Sequence, residues 1–230
     1  MTELLRNSAF LGVFLSIAAY ELGLVLKKKL RHPLCNPLLI SIVVVMLALV
    51  FFDIPYTAYV EGAQYLNYLL TPATICLAIP LYEQFSLLKC NYKAIMVGIM
   101  SGVLTSLCCV LFLSLLFHLS HTEYVTLLPK SITTAIGIGI SEELGGYVTL
   151  TVVVILITGI LGNIFAETIC RLFKITEPIA VGIAIGTSSH AIGTSKAMEL
   201  GEVEGAMSSL AIAVSGILTV VGAALFAGFV

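Results

Sequence analysis

Residues 72–84 read PATICLAIPLYEQ and residues 131–143 read SITTAIGIGISEE. Thr74 falls opposite Thr133, Ala78 opposite Gly137, Ile79 opposite Ile138 and Glu83 opposite Glu142. Each stretch opens on small hydroxyl residues, runs through a short apolar segment, stops at carboxylates and is followed by a long charge-poor segment. Short, interrupted hydrophobic elements in corresponding parts of a very apolar chain point to a binding site built at the bilayer midplane by inverted repeats.

The rest of the chain supports a lipid environment. Of 230 residues, 59% are hydrophobic and only 10% charged, and the mean hydropathy is +1.10. Soluble domains carry about 25% charged residues. The expected fold is therefore an all-α membrane protein, a single integral membrane domain over residues 1–230. Its inverted repeats, approximated by residues 70–117 and 128–172, contain broken helices.

Charge-poor stretches at 7–26, 33–52, 62–82, 94–117, 144–166, 178–195 and 205–230 mark candidate spans. The 125–141 stretch is shorter and holds Lys130. At about 20 residues per span this gives roughly seven to eight transmembrane or half-membrane helices. Three stretches are poor continuous helices: 62–82 holds Pro72 and Pro80, 125–141 holds Pro129, and 178–195 starts at Pro178 and turns polar at Gly186-Thr187-Ser188-Ser189-His190. Proline removes a helix hydrogen bond and glycine weakens the turn.

Positive charge sets orientation. The cluster Lys27, Lys28, Lys29 and Arg31 belongs inside, and so do Lys89 with Lys93 and Arg171 with Lys174. Spans 94–117 and 144–166 then run in opposite directions if 125–141 enters and leaves on the outer side as a re-entrant element; the alternative is that 125–141 crosses fully and Arg171 and Lys174 face outward. Small residues at Gly98 and Gly102, Gly182 and Gly186, and Gly201 and Gly205 have the spacing of close helix packing in lipid.

Irregular backbone at membrane depth is tolerated only where it is buried in protein or lines a cavity, so the three broken stretches are expected to converge. Helix N-termini there would gather an anion. The candidate site residues are Asn36, Thr71, Thr74, Lys130, Ser131, Thr133, Thr134, Thr187, Ser189, His190 and Thr194. Lys130 reads either as the charge partner of an anionic substrate or as a lysine snorkelling to the outer interface. His190 reads either as a proton relay or as a neutral, hydrogen-bonded core side chain.

No enzyme is expected. The chain lacks a G-x-S-x-G elbow and a G-x-x-x-x-G-K-[ST] loop. No cofactor or metal motif is present. The six cysteines form no C-x-x-C pair and read as small buried apolar side chains. The N-terminal stretch is not read as a cleaved leader, because its positive charges follow the apolar residues.

Five ordered motifs carry a resemblance. They are Asn36-Pro37-Leu38-Leu39, Leu70-Thr71-Pro72-Ala73-Thr74 with Ala78-Ile79-Pro80-Leu81-Tyr82, Leu128-Pro129-Lys130-Ser131, Gly186-Thr187-Ser188-Ser189-His190-Ala191-Ile192-Gly193-Thr194, and Glu204-Gly205-Ala206-Met207-Ser208. In that order they resemble the LrgB/CidB family of bacterial membrane proteins, which includes the membrane half of the plastid glycolate/glycerate translocator. Ser188 and Ala191 depart from the family's usual GTASHG wording.

The resemblance implies a multi-pass protein of the bacterial cytoplasmic membrane and one of two roles. One is carriage of small monocarboxylates, such as pyruvate, glycolate or glycerate, with proton coupling as an option. The other is antiholin-like control of murein hydrolase activity and lysis with a small LrgA/CidA-type membrane partner. A homo-oligomer is expected, and no nucleic-acid partner.

Overall fold

The computed structural model describes residues 10–30, 36–76 and 78–230. Arg31 of the basic cluster, Cys35 and the side chain of Thr74 lie outside the described residues. Among the described residues every regular element is a helix, as lipid demands, because a helix satisfies its backbone internally. The chain forms two compact units, Met1–Cys76 and Leu77–Val230.

The first unit holds α1 (Leu11–Leu30), α2 (Pro37–Phe51), α3 (Tyr56–Tyr68) and α4 (Leu70–Cys76). Asn36 caps α2: its Oδ1 accepts from Leu38 N at 2.9 Å and Leu39 N at 3.3 Å. Pro37 takes the first helical position, where no backbone donor is needed. Gly12 lets α1 lie on the backbone of α3, and Ser16 Oγ and Tyr59 OH share a hydrogen bond of 2.8 Å beside it.

The second unit holds α5 (Ala78–Glu83), α6 (Phe85–Leu116), α7 (His121–Leu127), α8 (Thr134–Glu143), α9 (Val148–Leu172), α10 (Pro178–Leu200) and α11 (Glu202–Phe226). The core stripe of α6, namely Ile95, Ile99, Val103, Leu107 and Val110, recurs every three or four residues and packs on Met207, Ala211 and Ala223 of α11. By length and composition, the stretches Tyr56–Glu83, Phe85–Leu116, Val148–Leu172 and Glu202–Phe229 can cross a membrane.

Two hairpins decide this unit. The first is α7 and α8 with the turn between them. Ser120 opens it with a capping box, its Oγ and N donating to Glu123 Oε2 at 2.7 and 2.8 Å. These bonds hold the Glu123 carboxyl below its ordinary range. Thr151 Oγ1 on α9 donates to Thr126 O of one limb at 3.0 Å and lies 2.8 Å from Ser141 Oγ of the other. Both limbs therefore stand at the same level, and Pro129–Thr133 is the tip. The hairpin has the form of the re-entrant reading of 125–141.

The second hairpin is α10. Residues 178–195 read as a span in the sequence, but the chain turns back within them at His190, whose backbone sits at φ 41° and ψ −142°. A Cβ on Gly193 would lie 3.0 Å from Ile185 Cγ2, a pair far apart in a straight helix. Gly98 and Gly102 of α6 face Ile183 and Thr187 of the first limb. On the return limb, Asn163 of α9 donates to Ile192 O at 2.7 Å and Ser195 Oγ at 3.1 Å, and Glu167 pairs with Lys196 at 3.4 Å. The first limb thus runs alongside α6 and the return limb alongside α9.

These contacts orient the unit. Lys89, Lys93, Arg171, Lys174 and Lys196 gather at one end, leaving Lys130 as the exception among the Lys and Arg residues of 78–230. That end is cytoplasmic by the positive-inside rule. The opposite end holds Ser120, Tyr124 and the C-terminal end of α11, where Tyr124 OH donates to Phe226 O at 3.0 Å. Hairpin α7–α8 with α9 enters from outside, and hairpin α10 with α11 enters from inside, so one is the inverted image of the other.

The sequence carries a trace of this repeat. Ala135-Ile136-Gly137 recurs as Ala191-Ile192-Gly193, and Glu143-Leu144-Gly145 recurs as Glu199-Leu200-Gly201. In that register Ser131 falls opposite Thr187, Thr133 opposite Ser189 and Thr134 opposite His190.

Candidate functional site

A cavity of about 750 Å³ runs between α6 and the first limb of α10 and ends at the tip of the outer hairpin. Its lining is graded along its length. Asn91 and Glu177 stand at the cytoplasmic mouth, then Ala94, Gly98, Ile179, Ala180, Ile183 and Ala184 make an apolar section. Ser101, Thr105, Ser106, Thr187 and Ser188 surround the deep end beside Lys130 and Ser131. Gly102 makes the close approach of the helices possible, since a Cβ there would lie 2.8 Å from Thr187 Oγ1.

At the deep end Lys130 Nζ donates to Ser131 Oγ at 3.0 Å, and Ser131 Oγ lies 3.1 Å from Ser106 Oγ. Ser106 sits near the middle of the charge-free stretch 94–117. That leaves about 18 Å of helix on one side and about 16 Å on the other at 1.5 Å per residue. The contact with Ser106 therefore sets Ser131, and with it the Lys130 amine, at the level of the middle of that stretch. Among the described residues no carboxylate lies within ion-pairing distance of it.

Of the residues the sequence singles out, Lys130, Ser131 and Thr187 line this cavity. Thr187 Oγ1 donates to Ile183 O at 2.8 Å and Ser188 Oγ to Ala184 O at 2.7 Å, so both hydroxyls offer lone pairs rather than hydrogens to the cavity. Thr133 caps α8 in extended backbone without a side-chain cap bond, and Thr134 is the first residue of α8. Neither lines the cavity.

Ser189, His190 and Thr194 face other helices. Ser189 packs on Gly162 of α9. His190 is buried, and its Nε2 donates to Ile155 O at 3.0 Å, so the ring anchors the bend. Thr194 Oγ1 donates to His190 O at 3.0 Å and lies 2.7 Å from Ser208 Oγ on α11. Asn36 and Thr71 belong to the Met1–Cys76 unit, where Asn36 is a helix cap and Thr71 lies on α4. Residues 74–76 end that unit as well, and the side chain of Thr74 is outside the described residues.

The sequence reading passed over the α6 wall. Ala94, Gly98, Ser101, Thr105 and Cys109 recur every three or four residues, next to the core stripe. That second period of small and hydroxyl residues, in a span that otherwise needs only apolar side chains, was the available signal.

Opposed hairpins entering from both faces, with a cavity running to the tip of one of them, define a multi-pass membrane protein of inverted-repeat design. The chain belongs to the LrgB-like family, whose model matches residues 16–229. It is similar to the holin-like protein CidB of Staphylococcus aureus, with 35% identity over 211 residues and 92% of each chain covered. The holin-like protein CidB of Staphylococcus epidermidis matches at 35% over 219 residues, 95% of each chain. YxaC of Bacillus subtilis matches at 34% over 210 residues, 91% of each. No solved structure matches the chain. With its family and apolar helices, it is a multi-pass protein of the bacterial cytoplasmic membrane.

Proposed function

We propose that the chain is a secondary carrier of a small monocarboxylate, a pyruvate-, glycolate- or glycerate-like acid, and that Lys130 holds the carboxylate. The observation that carries this reading is Lys130 itself, at the closed end of a cytoplasm-facing cavity and without a carboxylate partner among the described residues. A lysine at the bilayer centre costs about 3 kcal/mol on insertion scales, so it is kept for what it binds. Ser131 and Ser106 orient the amine, and the lone pairs of Thr187 and Ser188 accept from a 2-hydroxyl group. Opposed repeats supply alternating access, one rocking against the other about the site.

A second reading follows from the names of the relatives. CidB proteins are called holin-like, and on that reading this chain assembles with itself or with a small membrane partner to control lysis. Proteoliposomes holding this chain alone separate the two. The carrier reading expects saturable uptake of labelled pyruvate or glycolate and retention of an encapsulated dye. Dye release without saturable uptake favours the holin-like reading.

A further inference from the structure

Resting on the carrier reading, we infer that the site takes amphiphilic monocarboxylates, with the carboxylate at Lys130 and a saturated chain lying along the apolar section of the cavity toward its mouth. A cavity of about 750 Å³ belongs to the range that encloses drug-sized ligands. Its wall is sorted by polarity: hydroxyls and the amine are confined to the deep end, and Ala94, Gly98, Ile179, Ala180, Ile183 and Ala184 make the section outside it. A site shaped only for a two- or three-carbon acid needs no such section.

The geometry also sets a length. From Ser101 to Ala94 the α6 wall runs about 10 Å at 1.5 Å per residue. An extended chain covers that distance in about eight bonds at roughly 1.2 Å each. A chain of about eight carbons therefore spans the apolar section itself, and acids up to octanoate held at Lys130, which stands at the level of Ser106, end within the cavity. An α,ω-diacid of the same length would bring its second carboxylate among these alanines or beside Glu177 at the mouth, where it is desolvated or repelled.

Thermal melting of the whole protein in lipid nanodiscs, titrated with acids of increasing length, tests this, since stabilisation reports affinity. Between propionate and octanoate each added methylene should tighten binding about fourfold, while adipate and suberate bind no better than propionate. The gradient should vanish in Lys130→Ala, which separates it from general effects of fatty acids on lipid. It should flatten in Gly98→Leu, where a Cβ meets only the Ile183 side chain, at 3.4 Å, so the larger group projects into the cavity. Should Gly98→Leu not fold, the wild-type gradient and the diacid comparison still decide. Equal stabilisation by propionate and octanoate overturns this inference and leaves the carrier reading standing. No stabilisation by any acid, pyruvate included, overturns both.

Discussion

Replacing Lys130 by alanine is expected to lower transport efficiency about ten- to a hundredfold without lowering the melting temperature. A hydrogen bond to a charged group contributes about 1.5–3 kcal/mol, and tenfold in rate corresponds to about 1.4 kcal/mol. The stability side is the sharper half. The amine has a single hydrogen-bond partner, Ser131, and no carboxylate at ion-pairing distance among the described residues, so removing it takes away a costly midplane group and leaves no orphaned opposite charge. The variant should melt at the wild-type temperature or above. Lys130→Arg keeps the charge but presents a planar fork in place of a point donor, so it should retain only part of the uptake. Uptake measured beside thermal melting checks both halves. Full activity in Lys130→Ala removes the lysine from the mechanism, and a large fall in melting temperature makes it a structural residue.

The second large effect is expected at Gly162, where α9 receives the tip of the inner hairpin. A side chain there would overlap the Cβ and Oγ of Ser189. The hairpin has little room to retreat, because His190 is anchored to Ile155 O and Asn163 holds Ile192 O on the return limb. Overpacking of this kind costs about 1–3 kcal/mol or more. Gly162→Leu should melt several degrees below Gly139→Leu, a control on α8 with nothing within 4 Å of its Cβ. Both changes replace glycine by a good helix former, so the difference between them isolates the clash. Equal melting of the two variants would place the inner hairpin somewhere other than against α9.

The fold was legible where charge constrained it. Only re-entry of 125–141 satisfied both Lys93 and Arg171 as inside residues, and the α7–α8 hairpin has that form. The break in 178–195 was legible in its polar run from Gly186 to His190, but the reversal was not: the stretch has the length of a span, and the chain turns back at a histidine, a residue type with no preference for a bend.

The pairing of 72–84 with 131–143 joins a stretch that runs across the boundary at Cys76 to one inside the second unit. Within Leu77–Val230 a further register joins Ala135–Gly145 to Ala191–Gly201. Hydroxyl residues proved hard to assign by type. Ser189 and Thr194 look like site residues but serve helix packing, while Ser106 looks like an ordinary span residue and meets Ser131. In lipid a serine is useful wherever backbone or another hydroxyl needs a partner, so only geometry separates the two uses.

The account depends on the outer hairpin reaching the level of Ser106. Cysteines at Ser106 and Ser131, in a chain whose native cysteines are replaced, measure this in native membranes. With the two oxygens 3.1 Å apart, the pair should form a disulfide under mild oxidation, as side chains within bonding reach do. Before oxidation, the cysteine at 131 should react only slowly with a membrane-impermeant thiol reagent added from outside. Failure to cross-link, together with fast labelling of residue 131 from outside, would put Lys130 at the outer surface and contradict a midplane anion site.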